Sequence, residues 1–236
     1  HLGLDKPLLA LHEHNEAQAS QRVCALLAAG QRVAYVSDAG TPAVSDPGAA
    51  LVAAVVQAGH RVVPIPGASS AVAAISAAGD TVGAGFVFTG FLPAKGGERR
   101  TALQAVAMSS ATQVLFEAPH RIESLALGLA DALPTRRVTL CRELTKQFET
   151  VTTMIAGDIP GWLAADANRL RGEFVLVVHA LPAVAADAGA VPELALQTLT
   201  VLLRELPLKQ AVSLAAELSG APRNALYAAA LALQRP

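Results

Sequence analysis

Long apolar runs, cysteines and excess charge are all scarce in this sequence, and each shortage excludes a class of protein. Unbroken apolar runs, such as the one from Ala49 to Val56, fall well short of the ~20 residues that a membrane-spanning helix needs. Only Cys24 and Cys141 are present, which is too few for a disulfide scaffold or a cysteine-based zinc site and favours buried thiols in a reducing cytosol. The sequence therefore predicts a cytoplasmic protein without a membrane span.

Charge and aromatic content narrow the choice of partners and of core packing. The 18 basic and 19 acidic residues nearly cancel, so binding to a nucleic acid would need a local basic patch. Aromatic residues make up 4% of the chain, whereas 53% of all residues are hydrophobic, so the core is built mostly from small aliphatic side chains. A chain of 236 residues with this composition folds, as one large domain or two modest ones.

Alternating helices and strands are predicted for the first third of the chain. Helix caps, glycine stops and short apolar runs predict helices over Asn15–Ala29, Pro47–Gln57 and Ser69–Ala78, with strands Arg32–Ser37 and His60–Pro64 between them. Such alternation is typical of an α/β fold with a parallel, helix-covered sheet.

A second α/β domain is predicted after a turn-rich segment at Phe91–Gly97. Apolar runs and breakers predict strands over Gly85–Gly90, Gln113–Glu117, Arg137–Arg142, Glu149–Ile155 and Phe174–His179, and helices over Glu98–Met108, over Ile122–Leu133 and after Asp158. Two of these strands follow each other without a helix between them, so this second sheet should be mixed. The predicted domains are residues 1–84 and 85–181.

A small helical module is predicted at the carboxyl end, over residues 191–236. The segment Leu181–Pro192 is rich in Ala, Gly and Pro, as linkers are. Helices are predicted over Leu208–Leu218 and Asn224–Leu233, and their spacing suits a helix-turn-helix; a plain helical hairpin that packs on the body is the alternative.

Two loops at predicted strand ends are candidates for ligand binding. The loop over residues 37–48 (SDAGTPAVSDPG) combines two Gly with two Pro, and Pro66–Ser70 forms a similar loop at the next strand end. Ligands bind at the carboxyl ends of strands in open α/β folds, although tight strand-to-helix turns would look the same. His12 and His14 lack the third ligand that a zinc site needs, so we predict no metal.

Seven strings in order resemble one family. They are HEHNE (12–16), SDAGTPAVSDPG (37–48), PGASSAVAAISAAG (66–79), GFLPAK (90–95), FEAPHR (116–121), RELTKQFE (142–149) and RGEFVLVV (171–178). Together they resemble the ribosomal RNA small subunit methyltransferase I family of the tetrapyrrole methylase superfamily. The resemblance implies two α/β domains, use of S-adenosylmethionine, and methylation of the ribose 2′-hydroxyl of a cytidine in the decoding region of small-subunit ribosomal RNA.

The resemblance also implies where the cofactor is held, namely in the cleft between the two domains. By matching motif positions, the expected cofactor contacts are Ala39, Gly40, Thr41, Val44, Ser69, Ser70, Glu117, Arg142 and Phe174. Main-chain amides and carbonyls can satisfy both charges of a zwitterion that carries a sulfonium. The partners implied are small-subunit ribosomal RNA or the ribosomal subunit, and a second copy of the chain in a homodimer.

For the chemistry, a ribose hydroxyl needs a base or a cation that stabilises the developing alkoxide. Glu143 is the candidate base or orienting group and Lys146 its electrostatic partner, followed by His120 and Arg121. The candidates for RNA docking are Lys95, Arg99 and Arg100, together with the C-terminal module. Ordinary surface ion pairs would explain any one of these charges equally well.

One departure from the family lies at the start of the chain. Family members begin with a strand and a Thr-Pro-Ile-Gly-Asn-like loop, whereas this sequence begins at His1, downstream of both. The expectation is a fragment that lacks one strand of the first sheet and one wall of the cleft, with cofactor binding in doubt. The alternatives are a small-molecule tetrapyrrole methylase, or an RNA-binding assembly factor without activity.

Overall fold

The computed structural model describes residues 6–12, 14–37, 40–182, 191 and 193–233. The chain divides into two compact units, residues 1–181 and residues 182–236. The predicted boundary between residues 84 and 85 lies inside the first unit and stays a prediction. The predicted helical module, residues 191–236, lies within the second unit, and its bounds also stay a prediction.

The first unit is built on one mixed sheet of five strands. These strands are β1 (Phe86–Phe91), β2 (Thr112–Glu117), β3 (Arg137–Arg142), β4 (Thr150–Ile155) and β5 (Phe174–Val178), in the order β1-β2-β5-β3-β4. β1 and β2 are parallel, while β5 runs antiparallel to both β2 and β3, and β4 is antiparallel to β3. The mixed sheet predicted for this part is confirmed, and β1, β2 and β3 all end at the same edge.

Both faces of the sheet are covered by helices. One face packs on α4 (Gly96–Met108), α5 (Ile122–Ala132) and α6 (Ile159–Ala164), and Leu115, Leu140 and Leu176 are fully buried there. The other face, with Val114, Cys141 and Val175, packs on the small side chains of α3 (Ser70–Ala78). Ala71, Ala74 and Ala78 let this helix approach closely, so it belongs with the sheet.

Before α3, the chain forms a pair of helices with their own apolar contacts. α1 (Glu16–Ala28) and α2 (Ala49–Gln57) bury Val23, Leu51 and Val55 against each other. The helices predicted over these two segments are confirmed, as is α3.

The strands predicted over Arg32–Ser37 and His60–Pro64 are wrong. Residues 32–37 and 60–64 form no strand in the structure, and Val36 and Val63 are exposed. A β-branched run has strand propensity, but a strand also needs a neighbour that completes its hydrogen-bond ladder. Neither segment pairs with another part of the chain that the structure describes.

In its described residues, the second unit contains three helices. These are α7 (Glu193–Glu205), α8 (Leu208–Ser219) and α9 (Arg223–Leu233), which enclose Leu199, Val212 and Leu226 in an apolar core. α8 and α9 match the predicted helices, whereas α7 was not anticipated. Gly220, with φ of 69°, ends α8 in the left-handed conformation and starts the tight turn into α9. Among the described residues, no helix is long and apolar enough to cross a membrane.

Candidate active site

The predicted contacts of the second α/β segment lie side by side at one edge of the sheet. Phe174 of β5 pairs with Glu117 of β2 on one side and with Arg142 of β3 on the other. The sheet thus brings together three residues that are far apart in the sequence. Their side chains share the sheet face that carries α4 and α5, and Phe174 is buried in that core. A ligand at this edge of the sheet would therefore contact mainly the backbone of Glu117, Phe174 and Arg142.

Glu117 is the centre of a buried charge cluster. Its Oε1 atom lies 2.9 Å from Nε of Arg121, and its Oε2 atom lies 3.5 Å from a terminal guanidinium nitrogen of Arg99. Arg99 also donates to the carbonyl of Pro93 over 2.9 Å, and Arg121 donates to the carbonyl of Leu92 over 2.5 Å. The cluster therefore fastens the segment that follows β1 to the ends of β2 and α4. Arg121 has a structural task here, which makes it a weaker candidate for catalysis than its position in the sequence suggested.

Arg99 is buried, whereas its predicted role in RNA docking would require it to be exposed. α4 turns Arg99, Leu103 and Val106 toward the sheet, because residues at i, i+4 and i+7 share one helix face. Arg99 is 7% exposed as a result, and Glu117 neutralises its charge. Lys95 and Arg100, by contrast, are exposed, as is His120 in the 3₁₀ turn Pro119–Arg121.

Arg142 holds two loops together at the end of β3. Its guanidinium donates to the carbonyls of Asn168 at 3.3 Å, Arg171 at 3.1 Å and Phe148 at 3.0 Å. A planar fork of donors suits several acceptors at once. With these donors committed to carbonyls, a cofactor contact at this residue would again come from its backbone.

Glu143 and Lys146 form an exposed ion pair on the loop after β3. Lys146 Nζ donates to Oε1 of Glu143 at 2.9 Å and to Oε2 of Glu173 at 3.1 Å. The same Glu143 oxygen accepts the backbone amide of Glu173 over 2.9 Å. The structure therefore brings the two predicted catalytic residues together and adds Glu173, which the sequence analysis missed.

The electrostatics of this pair assign different roles to its members. The amide of Glu173, followed by the ammonium of Lys146, lowers the pKa of Glu143 below its usual range. The hydrogen bonds to Glu143 and then to Glu173 raise the pKa of Lys146. A carboxylate with a lowered pKa is a poor proton acceptor, so Glu143 suits orientation better than general base catalysis. A permanently charged Lys146 suits the stabilisation of negative charge.

Backbone strain marks the same loop. Glu143 has φ of 51° and Thr145 has φ of 66°, both in the left-handed region that non-glycine residues rarely adopt. Such conformations persist where surrounding contacts enforce them and cluster at functional sites. Here the enforcing contacts are the hydrogen bonds that the Glu143 carboxylate accepts from Glu173 and Lys146, together with the one that the Glu143 amide donates to the carbonyl of Glu173.

The two predicted cofactor loops are tied to each other. The Thr41 hydroxyl donates to the carbonyl of Ala68 over 3.1 Å, which joins the first loop to the residue before Ser69 and Ser70. Ser69 precedes α3 without a side-chain cap, so its hydroxyl does not occupy the amides at that helix start. Gly40 has φ of 66°, and Val44 closes a turn by donating to the carbonyl of Thr41. Ala39 lies outside the described residues.

Glu16, the last residue of the HEHNE string, caps α2. Its Oε1 atom accepts the amide of Gly48 at 2.7 Å and that of Ala50 at 3.2 Å. A carboxylate at a helix start satisfies free amides and complements the helix dipole. This contact fixes the first loop relative to α1, 32 residues earlier in the chain.

A cleft of about 620 Å³ opens between the first loop and β1. One wall consists of the segment Ser45–Ala49 with Glu16, and the other of Phe88–Phe91. The rings of Phe88 and Phe91 each meet Phe116 edge to face, with centroids 5.0 and 5.7 Å apart. The sequence analysis missed this aromatic wall. The signal was present, since half of the chain's 6 Phe residues fall in β1 and Phe116 is a fourth.

No group of three or more His, Cys, Asp or Glu side chains that could hold a metal ion occurs in the part of the chain that the structure describes. The residues just assembled instead offer backbone groups, hydroxyls, one exposed ammonium and an aromatic wall. Such a set can hold an organic ligand and stabilise developing negative charge.

Comparison with known families matches both units of the chain. Residues 5–160 match the tetrapyrrole (corrin/porphyrin) methylases, and residues 188–234 match the RsmI C-terminal HTH domain. A curated relative from Pseudomonas aeruginosa, named ribosomal RNA small subunit methyltransferase I, is 46% identical over 99% of this chain and 83% of its own length. Relatives of the same name from Escherichia coli O157:H7 and Neisseria meningitidis serogroup B are 45% and 44% identical over 99% and 97% of this chain, and 81% and 78% of their own lengths.

Solved structures share the fold of about 70% of the chain. The methyltransferase CobJ superposes with a TM-score of 0.53 at 22% identity, covering 70% of this chain and 71% of that chain. The uroporphyrin-III-C-methyltransferase of Thermus thermophilus gives a TM-score of 0.50 at 26% identity over 70% of this chain and 71% of its own. At this level of identity the likeness to CobJ concerns the fold alone.

Proposed function

The chain belongs to the tetrapyrrole (corrin/porphyrin) methylase family, among the ribosomal RNA small subunit methyltransferase I proteins, and on this premise we propose its function. We propose that it transfers the methyl group of S-adenosylmethionine to the ribose 2′-hydroxyl of a cytidine in the decoding region of small-subunit ribosomal RNA. The substrate is either small-subunit ribosomal RNA or the assembled ribosomal subunit.

One observation carries this proposal above the others. The relatives named for ribosomal RNA match both units of the chain, at 46% identity over 99% of its length for the Pseudomonas aeruginosa protein. A methylase acting on small tetrapyrroles has no evident use for the C-terminal module that matches residues 188–234. The combination of units favours a large RNA substrate.

The groups at the joined loops fit a zwitterionic cofactor. Gly40, Thr41 and Val44 present backbone groups, and the bond from Thr41 to Ala68 keeps them beside Ser69 and Ser70. The uncapped start of α3 leaves amides and a hydroxyl for a carboxylate. Backbone groups of Glu117, Phe174 and Arg142 supply the opposite wall. When bound here, S-adenosylmethionine supplies an electrophilic methyl group.

In the transfer step, we assign Lys146 the stabilisation of the ribose oxygen as its proton leaves. An ammonium beside a developing alkoxide lowers the energy of the transition state. Glu143 and Glu173 hold the ammonium in place through contacts of 2.9 and 3.1 Å. His120, exposed at the end of β2, is then the candidate for taking the proton.

For RNA docking, we assign Lys95 and Arg100 together with the C-terminal unit. Both side chains are exposed at the start of α4, whereas Arg99 is committed to Glu117. Contacts to phosphates weaken as salt rises, because they release counterions. Replacing Lys95 or Arg100 with Ala should therefore weaken binding and reduce its dependence on salt.

The remaining expectations concern the state and place of the protein. We propose a cytoplasmic homodimer, on the strength of the family resemblance. Sedimentation equilibrium of the purified chain tests the dimer directly, since its mass would be twice the 24.2 kDa of one chain.

The proposed function is tested in two stages. Calorimetric titration of S-adenosylmethionine into the chain should give micromolar binding, and small ribosomal subunits from a strain without this methylation should then accept a radiolabelled methyl group. Binding of cofactor without transfer to the subunits would favour a small tetrapyrrole substrate. Binding of subunits without cofactor would identify an assembly factor.

A further inference from the structure

The cleft between the first loop and β1 is lined by two aromatic side chains that are unusually exposed. Phe88 and Phe91 remain 36% and 51% exposed, although large aromatic side chains are normally well buried. Both rings lie against Phe116, which is anchored on the α3 face of the sheet. The chain therefore holds a firm aromatic surface open at the cleft.

The irregularity in β1 creates this surface. The register between β1 and β2 shifts between Phe88 and Gly90, so that Phe88 and Phe91 both contact Phe116. Gly90, at the shift, has φ of 67°, and a Cβ there would lie 3.3 Å from Oγ of Ser45. The bulge thus turns two rings to one side and lets the first loop approach closely.

The polar side chains of the cleft differ in whether they already have a hydrogen-bond partner. Glu16 is occupied by the amides of Gly48 and Ala50, and the Thr89 hydroxyl lies 3.2 Å from Oε1 of Gln113. Asp46 lines the cleft, and its carboxylate has no hydrogen-bond or ion-pair partner among the residues that the structure describes. The described lining residues include no Lys or Arg.

This composition selects the chemistry of the ligand. An acidic wall without cations disfavours phosphate, while aromatic faces bind flat rings by stacking. A carboxylate accepts a hydrogen bond from an exocyclic amino group, such as the 4-amino group of cytosine, and repels the carbonyl that uracil carries at that position. A volume of about 620 Å³ accommodates a nucleobase with its sugar.

We propose that this cleft receives the base of the target cytidine, with Phe88 and Phe91 as its stacking surface and Asp46 as the acceptor for its amino group. The inference rests on the proposed function and adds to it a means of choosing cytidine over uridine. The base would leave its stack in the RNA and enter the cleft, as happens where an enzyme must expose one nucleotide.

The stacking surface is tested with Phe91→Leu, which keeps apolar packing against Phe116 and removes the aromatic face. With small ribosomal subunits as substrate, KM should rise by about fivefold or more, since stacking of one base contributes on this scale. The affinity for S-adenosylmethionine, measured by calorimetry, should not change. Phe86→Leu is the matched control, because Phe86 is 44% exposed on the same strand but does not line the cleft.

The acceptor is tested with Asp46→Asn on subunits that carry either cytidine or uridine at the methylated position. The wild type should prefer cytidine, and the variant should lose about fivefold or more of this preference, because an amide can also donate to uracil. Asp131→Asn, on the exposed face of α5, is the control.

Three outcomes would decide against the proposal. An unchanged KM for Phe91→Leu together with an unchanged base preference for Asp46→Asn would overturn it. A loss of S-adenosylmethionine affinity as large as the rise in KM would assign the cleft to the adenine of the cofactor instead. A wild-type chain that binds cofactor but methylates neither the subunits with cytidine nor those with uridine would refute the proposed function itself, and the proposal with it.

Discussion

Oε1 of Glu117 lies 2.9 Å from Nε of Arg121, and the side chain of Glu117 is wholly shielded from solvent. The geometry is that of an ion pair and not of an aligned hydrogen bond, since Nε of Arg121 has no partner that meets hydrogen-bond criteria. Charge attraction therefore makes the main contribution to this pair. The hydrogen bond from Arg121 to the carbonyl of Leu92 then joins the end of β2 to the segment that follows β1.

Glu117→Gln should lower the free energy of unfolding by about 3–5 kcal/mol. The amide keeps the shape of the side chain but leaves the buried guanidinium of Arg99 and that of Arg121 without a counter-charge. Urea denaturation measures the change. Glu98→Gln, on the exposed first turn of α4, should shift the same quantity by no more than about 0.5 kcal/mol. Equal effects for the two variants would show that the cluster is not held by charge.

Asp80 should make the free energy of unfolding depend on pH. Partial burial alone would raise its pKa, but hydrogen bonds from the Thr112 hydroxyl and from the amides of Ala180, Val82 and Gly83 outweigh it and lower the pKa to about 2. Because the folded pKa is below the ordinary aspartate value of 3.8, this stabilisation is present above about pH 4 and is lost as the pH falls toward 2. Asp80→Asn should therefore destabilise the protein by about 1 kcal/mol at pH 7, since solvent screens this partly buried carboxylate, and by less at pH 3.

The measurement for Asp80 compares urea midpoints of the wild type and the variant at both pH values. A difference between the two proteins that stays the same from pH 7 to pH 3 would contradict the assignment. Asp131→Asn again serves as the control, since Asp131 is exposed on α5.

Gly172→Ala should impair the loop after β3. Gly172 has φ of 92°, and a Cβ there would overlap the side chain of Glu143. The substitution should cost about 1–3 kcal/mol of stability from backbone strain and should displace Glu143 from Lys146. Gly161→Ala is the matched control, because an added Cβ at that helical glycine meets nothing within 4 Å. Thermal unfolding and the methylation rate should both separate the variants.

Lys146→Ala should reduce kcat for methyl transfer by about 100-fold, which is the usual effect of removing one group that stabilises a developing oxyanion. Glu143→Gln should reduce kcat less, because Glu173 still contacts the ammonium over 3.1 Å. Neither substitution should change the affinity for S-adenosylmethionine. Arg22→Ala, on the exposed side of α1, is the control. Unchanged rates at saturating cofactor and RNA would remove the pair from the mechanism.

Local signals predicted most helices and strands after residue 85. Pro, Gly and the apolar period mark the ends of α5, β2 and β3, and these bounds agree with the structure to within a residue. The same signals failed at residues 32–37 and 60–64, where the apolar pattern is right for a strand but no described strand provides the partner. α7 was not predicted, because it directly follows a segment with the composition of a linker.

By itself, the sequence determined the family, most elements after residue 85 and the loops expected at the cofactor. Those properties reside in short strings and in local periodicity, which each segment carries independently of the others. Tertiary structure decided which side chains remain available. It buried Arg99 against Glu117, set Phe174 between Glu117 and Arg142, and opened the rings of Phe88 and Phe91 to a cleft. These relationships join residues distant in the chain, and long-range pairing and packing fix them.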